Sequence, residues 1–379
     1  MHSASRGNRL GRACRFHEVR SDLRSPAGRG PTRLRRALVA AAGLALGAAC
    51  AACGSAPLGG RAARGQEAFV VNGATAPAPT NTVVPVDLVR HRVDPAITVG
   101  IEPAAMAITP EGSSLLVVSK GVDTLSAVSL ATTSVTWTTR VGLEPDAVAV
   151  TPDGRTAVVA NYGDGTISLV DLRSHRVRAT VHVGAQPVAV AVTPDGARAV
   201  VANFGDATAS VVSLRSRSVV ATIDVGAEDD AVAVTPGGAT ALVGCFGDNT
   251  VVPINLATLQ PGAPVTIPGG PRSIAIATGQ TSAPAVTGSE QAGSAASRAG
   301  RAAYVASGNS LWPVALPGLV VGNPIIVGHP AEGVALGPDH RYAYVATADG
   351  YLVPVDLVKG IAGKPIFVGG KPYAVVVAR

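Results

Sequence analysis

The side chains of this sequence that could do chemistry are mostly carboxylates, and they recur at regular intervals. Glu102, Glu144, Glu228, Asp229, Asp230 and Glu332 each follow a Val-Gly pair by a few residues and lead into an apolar run. A second set, Asp123, Asp164, Asp206, Asp248 and Asp349, lies further along each repeat, with Tyr162, Phe204 and Phe246 beside three of them. Acids spaced this way can form a docking face for a cationic partner or a divalent ion, the aromatics adding contact area. A plainer reading stands beside it. Asp in a Gly-Asp-Gly loop accepts backbone N–H bonds and makes the turn, and aromatics recurring once per repeat can simply fill gaps between repeats.

Catalytic chemistry has less support. Beyond residue 53 the histidines are His91, His175, His182, His329 and His340. Only His329 falls in a Val-Gly linker, near Glu332, where a solvated surface histidine is the expectation. Beyond residue 53 no His-x-His, Cys-x-x-Cys or His-Glu-x-x-His spacing occurs, and no Gly-x-Ser-x-Gly elbow. No catalytic residue, metal ligand or cofactor is therefore assigned. Cys245 stands where neighbouring repeats have Asn161 and Asn203, and reads as a buried structural thiol.

The elements that position these residues are short. Val141 to Gly184 holds four Val- and Ala-rich runs separated by Thr151-Pro152-Asp153-Gly154, Tyr162-Gly163-Asp164-Gly165 and Arg173-Ser174-His175. Proline preset for the second turn position and glycine at the last are turn chemistry, and no run has helix length or period. The unit is a four-stranded antiparallel meander. Its Val-Gly start recurs at Gly100, Gly142, Gly184 and Gly226 with a step of 42, then at Pro268, Gly328 and Gly369.

A period near forty with four strands per unit marks a β-propeller. The first-strand copies start at Ala105, Ala147, Ala189, Ala231, Ile274, Val334 and Ala374, and the last has no partners after it. Those partners stand at the other end: Ala68–Asn72, Thr82–Leu88 and Asp94–Val99 match the second, third and fourth strands. The predicted fold is all-β, with seven four-stranded antiparallel blades closed by one C-terminal strand plus three N-terminal ones, over residues 68–379. The innermost strands are Ala and Val, which predicts a channel wall poor in acids, bases and nucleophiles. Two irregularities are expected: a disordered insertion over 278–300, and a bulge or broken pairing at Pro85, Pro253, Pro313 and Pro354, which share one register of the third strand.

Composition agrees. Of 379 residues 44 are Gly and 28 Pro, which suits many turns. The net charge of +6 misleads, because residues 1–52 hold ten Arg against Glu18 and Asp22, leaving about −2 for the remainder. A nucleic-acid partner is therefore not expected. Arg33, Arg35 and Arg36 precede an Ala37–Ala49 apolar run that is short for a membrane span and matches an export signal.

The run ends Ala49-Cys50-Ala51-Ala52-Cys53-Gly54-Ser55, which resembles a bacterial lipoprotein signal. That resemblance implies lipidation of Cys53, with Cys50 second; cleavage near Ala51 and an uncleaved anchor are the alternatives. Residues 1–53 are then a signal region and 54–67 a flexible tether.

The repeats themselves resemble the YVTN-type β-propeller family. The matching residues are Thr151-Pro152-Asp153-Gly154 and Thr193-Pro194-Asp195-Gly196 in the turn, and Val158-Val159-Ala160-Asn161, Tyr304-Val305-Ala306-Ser307 and Tyr344-Val345-Ala346-Thr347 in the second strand. Thr166-Ile167-Ser168-Leu169-Val170-Asp171 matches the third. The namesake tetrapeptide is never complete. The resemblance implies an exported or surface-attached binding or adhesion module, and related propellers include lactonases and quinoprotein-like enzymes.

The expected function is thus a non-catalytic, monomeric scaffold held at the membrane by its N-terminal lipid. It would bind a protein or cell-envelope component through Glu102, Glu144, Glu228, Asp229, Glu332, Tyr162, Phe204 and Phe246. A lactonase-like or quinoprotein-type enzyme with a site at the channel mouth is the alternative.

Overall fold

The computed structural model describes residues 66–73, 81–277 and 302–378. The expected signal region, most of the tether and the 278–300 insertion lie outside these residues. Seven antiparallel sheets form the blades. Blade 1 combines Glu67–Gly73 and Thr82–Asp87 with the C-terminal strand Lys371–Ala378; blades 2 to 7 follow in chain order. Their innermost strands are Pro103–Ile108, Pro145–Val150, Pro187–Val192, Asp229–Val234, Pro271–Ile276 and Ala331–Leu336. Each begins a little before the apolar run that marks it in the sequence.

Closure follows the one-plus-three scheme. Lys371–Ala378 pairs antiparallel with Glu67–Gly73, from Glu67 opposite Ala378 to Gly73 opposite Lys371. The reason lies in the second and third strands, which are apolar on both sides. Side chains alternate across a strand, so in blade 3 Ala157 and Val159 pack toward blade 2 while Val158 and Ala160 pack toward blade 4. One apolar cluster fills each junction, including that between blades 7 and 1, where Tyr344, Ala346 and Leu352 meet Ala68, Val70 and Val375. A blade with one neighbour would expose half of this surface to water.

The prolines break the outer edge as expected. In blades 1, 5, 6 and 7 the fourth strand is split into two short pieces, as in Arg92–Val93 and Ile97–Thr98. Pro85, Pro253, Pro313 and Pro354 each keep a partner on the second strand. Lacking an N–H, each contributes only its carbonyl to the outer side, accepting from Asp94, Gly262, Gly322 and Gly363 at 2.7–2.9 Å. Blades 2, 3 and 4 carry a bulge at the same register, near Ala127, Leu169 and Val211. The outer strand is thus split in four blades and bulged against its neighbour in three, irregularities of the kind that disfavour strand addition by another chain.

The second-strand Asn is a staple. Asn161 Oδ1 accepts Gly142 N–H at 3.2 Å, and its Nδ2 donates to Thr166 and Ser168 at 2.9 and 3.0 Å. Asn203 repeats this with Gly184, Thr208 and Ser210. The close approach explains the recurring glycine: a Cβ on Gly142 would lie 2.5 Å from Asn161 Cγ. Cys245 takes this place in blade 5 and is fully buried, as its register suggested.

Two outcomes are expected. Deleting residues 371–379 removes buried Val375, worth about 1.5–3 kcal/mol by itself, and strips blade 1 of its inner strand. The truncated chain should show no cooperative thermal transition by circular dichroism; a melt like the parent's would refute the closure. Gly142→Ala and Asn161→Ala should each destabilise in urea unfolding, by about 1–3 kcal/mol. Because the new methyl group collides with the Asn161 amide, their double variant should fall well short of additivity.

Candidate functional site

One feature of the inner strands decides what reaches the channel. In every blade the register between first and second strands slips near the start of the first strand, at its second residue in blades 2 to 7 and its third in blade 1; in blade 3, Pro145 opposes Asn161 and Ala147 opposes Ala160, leaving Asp146 over. A bulge of this kind re-aims a side chain. The seven bulged residues are Ala104, Asp146, Val188, Asp230, Arg272, Glu332 and Tyr373. All seven line one cavity of about 630 Å³ at the channel mouth, floored by Ala and Val such as Ala147, Val190 and Val232. The expectation of a wall poor in acids and bases holds for that floor and fails at the mouth. Glu332 and Asp230, read as linker residues, belong to this ring.

The charges at the mouth are clamped in two groups. Arg272 lies 3.0 Å from Asp230 and 3.3 Å from Glu332, and its guanidinium stacks 4.0 Å from the centre of the Phe246 ring. Lys120 lies 3.0 Å from Asp146 and 4.3 Å from the centre of the Tyr162 ring. A shared register underlies both. Lys120 and Phe246 are each the first residue after a second strand, and each meets the bulged residue of the next blade. Phe246 packs so tightly that a Cβ on Gly270 would fall 2.3 Å from its ring. Phe204 is half-buried at the corresponding place in blade 4, one blade before Asp230.

Burial shapes the titration of these acids. The Asp230 carboxyl is pushed up to about 6, chiefly by removal from water, with Arg272 opposing and Glu228, Glu332 and Asp146 adding to the rise. Burial also raises Glu332 against Arg272 and Lys371, and raises Asp146 against Lys120. Four carboxylates (Glu102, Asp146, Asp230 and Glu332) face two cations around the cavity. The mouth is therefore acidic even with its ion pairs made.

The other expected residues separate into groups. Glu102, Glu144 and Glu228 sit in the linkers with φ of 48–54°, as does Gln186; a long side chain in this left-handed conformation is uncommon where Gly would fit. Glu144 and Glu228 are exposed, and Glu102 reaches the cavity rim. Asp229 opens the inner strand of blade 5 on the register of Pro103 and Pro145, and its side chain lies outside the described residues. Four of the five loop aspartates accept backbone N–H groups, as the plainer reading has it, but from the linkers rather than their own turns: Asp164, Asp206 and Asp248 accept those of Leu143, Ala185 and Ala227 at 2.6–3.0 Å, tying each linker to its own blade, and Asp123 accepts that of Glu144 in the next blade's linker.

His329 departs from the solvated surface residue expected. Its Nδ1 lies 2.6 Å from Asp349, its ring sits tilted against that of Tyr351 with centres 4.8 Å apart, and its side chain is 25% exposed. The sequence reading missed Lys120, Asp146, Arg272 and Tyr373. Three of the four left a signal: Asp146 and Arg272 directly follow the Pro that opens an inner strand, and Tyr373 follows Pro372, the second residue of its strand.

No family model matches this chain, and no curated protein does. Solved structures share its fold. Kuenenia stuttgartiensis hydrazine synthase aligns with a TM-score of 0.60 and 18% identity over 72% of this chain and 89% of that one. A functionally unknown protein from Desulfotomaculum acetoxidans aligns at 0.64 and 14% over 81% and 98%. The dihydro-heme d1 dehydrogenase NirN, in complex with DHE, aligns at 0.56 and 16% over 82% and 74%. At these identities the likeness establishes the propeller and nothing of the chemistry.

The raised Asp230 carboxyl has a consequence for stability. Between its ordinary value of 3.8 and about 6, the folded state keeps a proton that the unfolded state has released, so raising the pH through this window costs stability. Asp230→Asn should remove that loss. Urea midpoints of parent and variant, measured at about pH 4.5 and 6.5, should converge at the acidic end and separate in the variant's favour at the higher pH.

Proposed function

We propose that this chain is an exported, lipid-anchored β-propeller that does no chemistry and binds a cationic segment of a protein or cell-envelope component at its channel mouth. The observation that carries the reading is the cavity itself: an apolar floor beneath a ring in which carboxylates outnumber cations. Lysine or arginine side chains of a partner would meet Glu102, Asp230 and Glu332 at the rim while their aliphatic stems cover the Ala and Val floor. Exposed Glu144 and Glu228 extend the acidic field beyond the cavity and would steer the approach.

Export and anchoring rest on the Arg-rich leader, the Ala37–Ala49 run and Cys53. The resemblance to YVTN-type repeats, common in exported and surface-attached proteins, supports the same placement. Binding is preferred to turnover because both cations at the mouth are already held in ion pairs.

Titration of a fluorescent Lys- and Arg-rich peptide tests the site. Affinity should fall at least fivefold or so in an Asp230→Asn, Glu332→Gln double variant, and should weaken with salt as exposed charges are screened. It should also rise between about pH 5 and 7 as Asp230 ionises. A strained-lactone hydrolysis screen, with and without calcium, addresses the enzyme alternative: turnover abolished by Glu332→Ala would replace the binding reading.

A further inference from the structure

The face opposite the mouth carries charge that this site leaves unused. The turns between third and fourth strands of blades 3 and 4 present Arg173, Arg176, Arg215 and Arg217, all exposed. Among the described residues none of the four forms an ion pair. Other arginines of that face are neutralised: Arg90 by Asp87, Arg92 by Asp94, Arg178 by Asp171 and Arg341 by Asp356. A groove of about 580 Å³ between blades 3 and 4 is lined by Arg178, Arg215 and Arg217 together with Asp153 and Asp195; Asp153 and Asp195 accept bonds within their own turns, from Thr151 and Arg155 and from Thr193 and Ala197. Val177 and Val220 stand exposed beside these arginines.

The chain joins the propeller on this same face. Glu67 opens the second strand of blade 1 opposite Asp87, where the turn to the fourth strand begins. The segment leading from Cys53 therefore reaches the fold on the arginine side. Only residues 54–65 separate Cys53 from Gln66, a reach of at most about 47 Å. Held that close, individually weak charge contacts act at high effective concentration.

We propose that the face centred on Arg173, Arg176, Arg215 and Arg217 lies against an anionic phospholipid surface, leaving the acidic mouth directed away from the bilayer. Unpaired basic side chains near such a surface each raise partitioning about fivefold, and the groove and exposed valines add headgroup-level contact. The acidic mouth would be repelled by the same surface, so both faces favour one orientation. The choice of which side meets the bilayer draws on the anchored reading above; the affinity of the face for anionic headgroups does not.

The test uses the full chain with Cys14, Cys50 and Cys53 changed to Ser, which removes the lipid site and leaves buried Cys245 as the remaining native thiol. An environment-sensitive fluorophore is attached at Ser216→Cys on the arginine face or at Leu143→Cys on the mouth face. Vesicles of phosphatidylglycerol with phosphatidylcholine are compared with pure phosphatidylcholine. The leader's arginines are common to both labelled chains, so the comparison reads the face. The probe at 216 should respond to the anionic vesicles alone, and the probe at 143 to neither. Changing the four arginines to Glu should abolish the response at 216 and weaken partitioning at least about tenfold, with the thermal midpoint as folding control; a four-Gln variant serves if the Glu variant does not fold. Equal responses at both positions, a response at 143 alone, capture of a soluble anionic polysaccharide without vesicle response, or unchanged partitioning of the variant overturns the proposal. Mouth variants that lose peptide binding leave this result untouched, so the two readings fail separately.

Discussion

Blades that are apolar on both sides impose the architecture. The second strand of blade 3 sends Val158 one way and Val159 the other, each into a different apolar cluster. No blade can satisfy both surfaces without two neighbours, and a finite row would always leave two faces wet. A closed ring removes both ends at once, and joining Lys371–Ala378 to Glu67–Gly73 ties that closure to the two extremes of the fold. Polar chemistry is then confined to the channel mouth, the linkers and the turns.

Periodicity made this architecture readable. Turn residues such as Thr151-Pro152-Asp153-Gly154 and the Val-Gly step of 42 fix strand number and order, because turn chemistry is local and independent of what lies across the ring. Pro85 and its three counterparts signal broken edges for the same reason: a missing N–H is a property of one residue. Glu332 and Asp230 were visible as acids near linkers, but their arrival in the channel depends on a bulge, which is set by how first and second strands slip against each other. Lys120 was silent, since only its distance to Asp146 in the next blade gives it meaning. His329 was misread because its partner, Asp349, lies in a loop whose aspartates otherwise accept backbone bonds.

The departures from repetition carry the individuality of the molecule. Seven bulged positions share one geometry, yet they hold Ala, Val, Tyr, Arg and three carboxylates. A scaffold needs only a side chain that tolerates the mouth; this ring instead gathers charge in a partly dry setting, where Coulomb interactions are strong and burial raises the carboxyl of Asp230. Arg272 offsets that cost while Phe246 supports its guanidinium from the side. The opposite face follows another rule, with exposed and unpaired arginines on two adjacent blades. One disc thus presents two surfaces of opposite sign, and the strands between them set their separation.

Native-state hydrogen exchange measured by mass spectrometry tests ring closure most directly. If the terminal strand completes blade 1, amides in 371–378 and 67–73 exchange only through global unfolding, as slowly as those of Arg198–Asn203 in the middle of blade 4, and respond identically to added urea. Fast, urea-independent exchange across 371–378, with blade 4 still protected, would contradict the closed ring and the arrangement of both faces that depends on it.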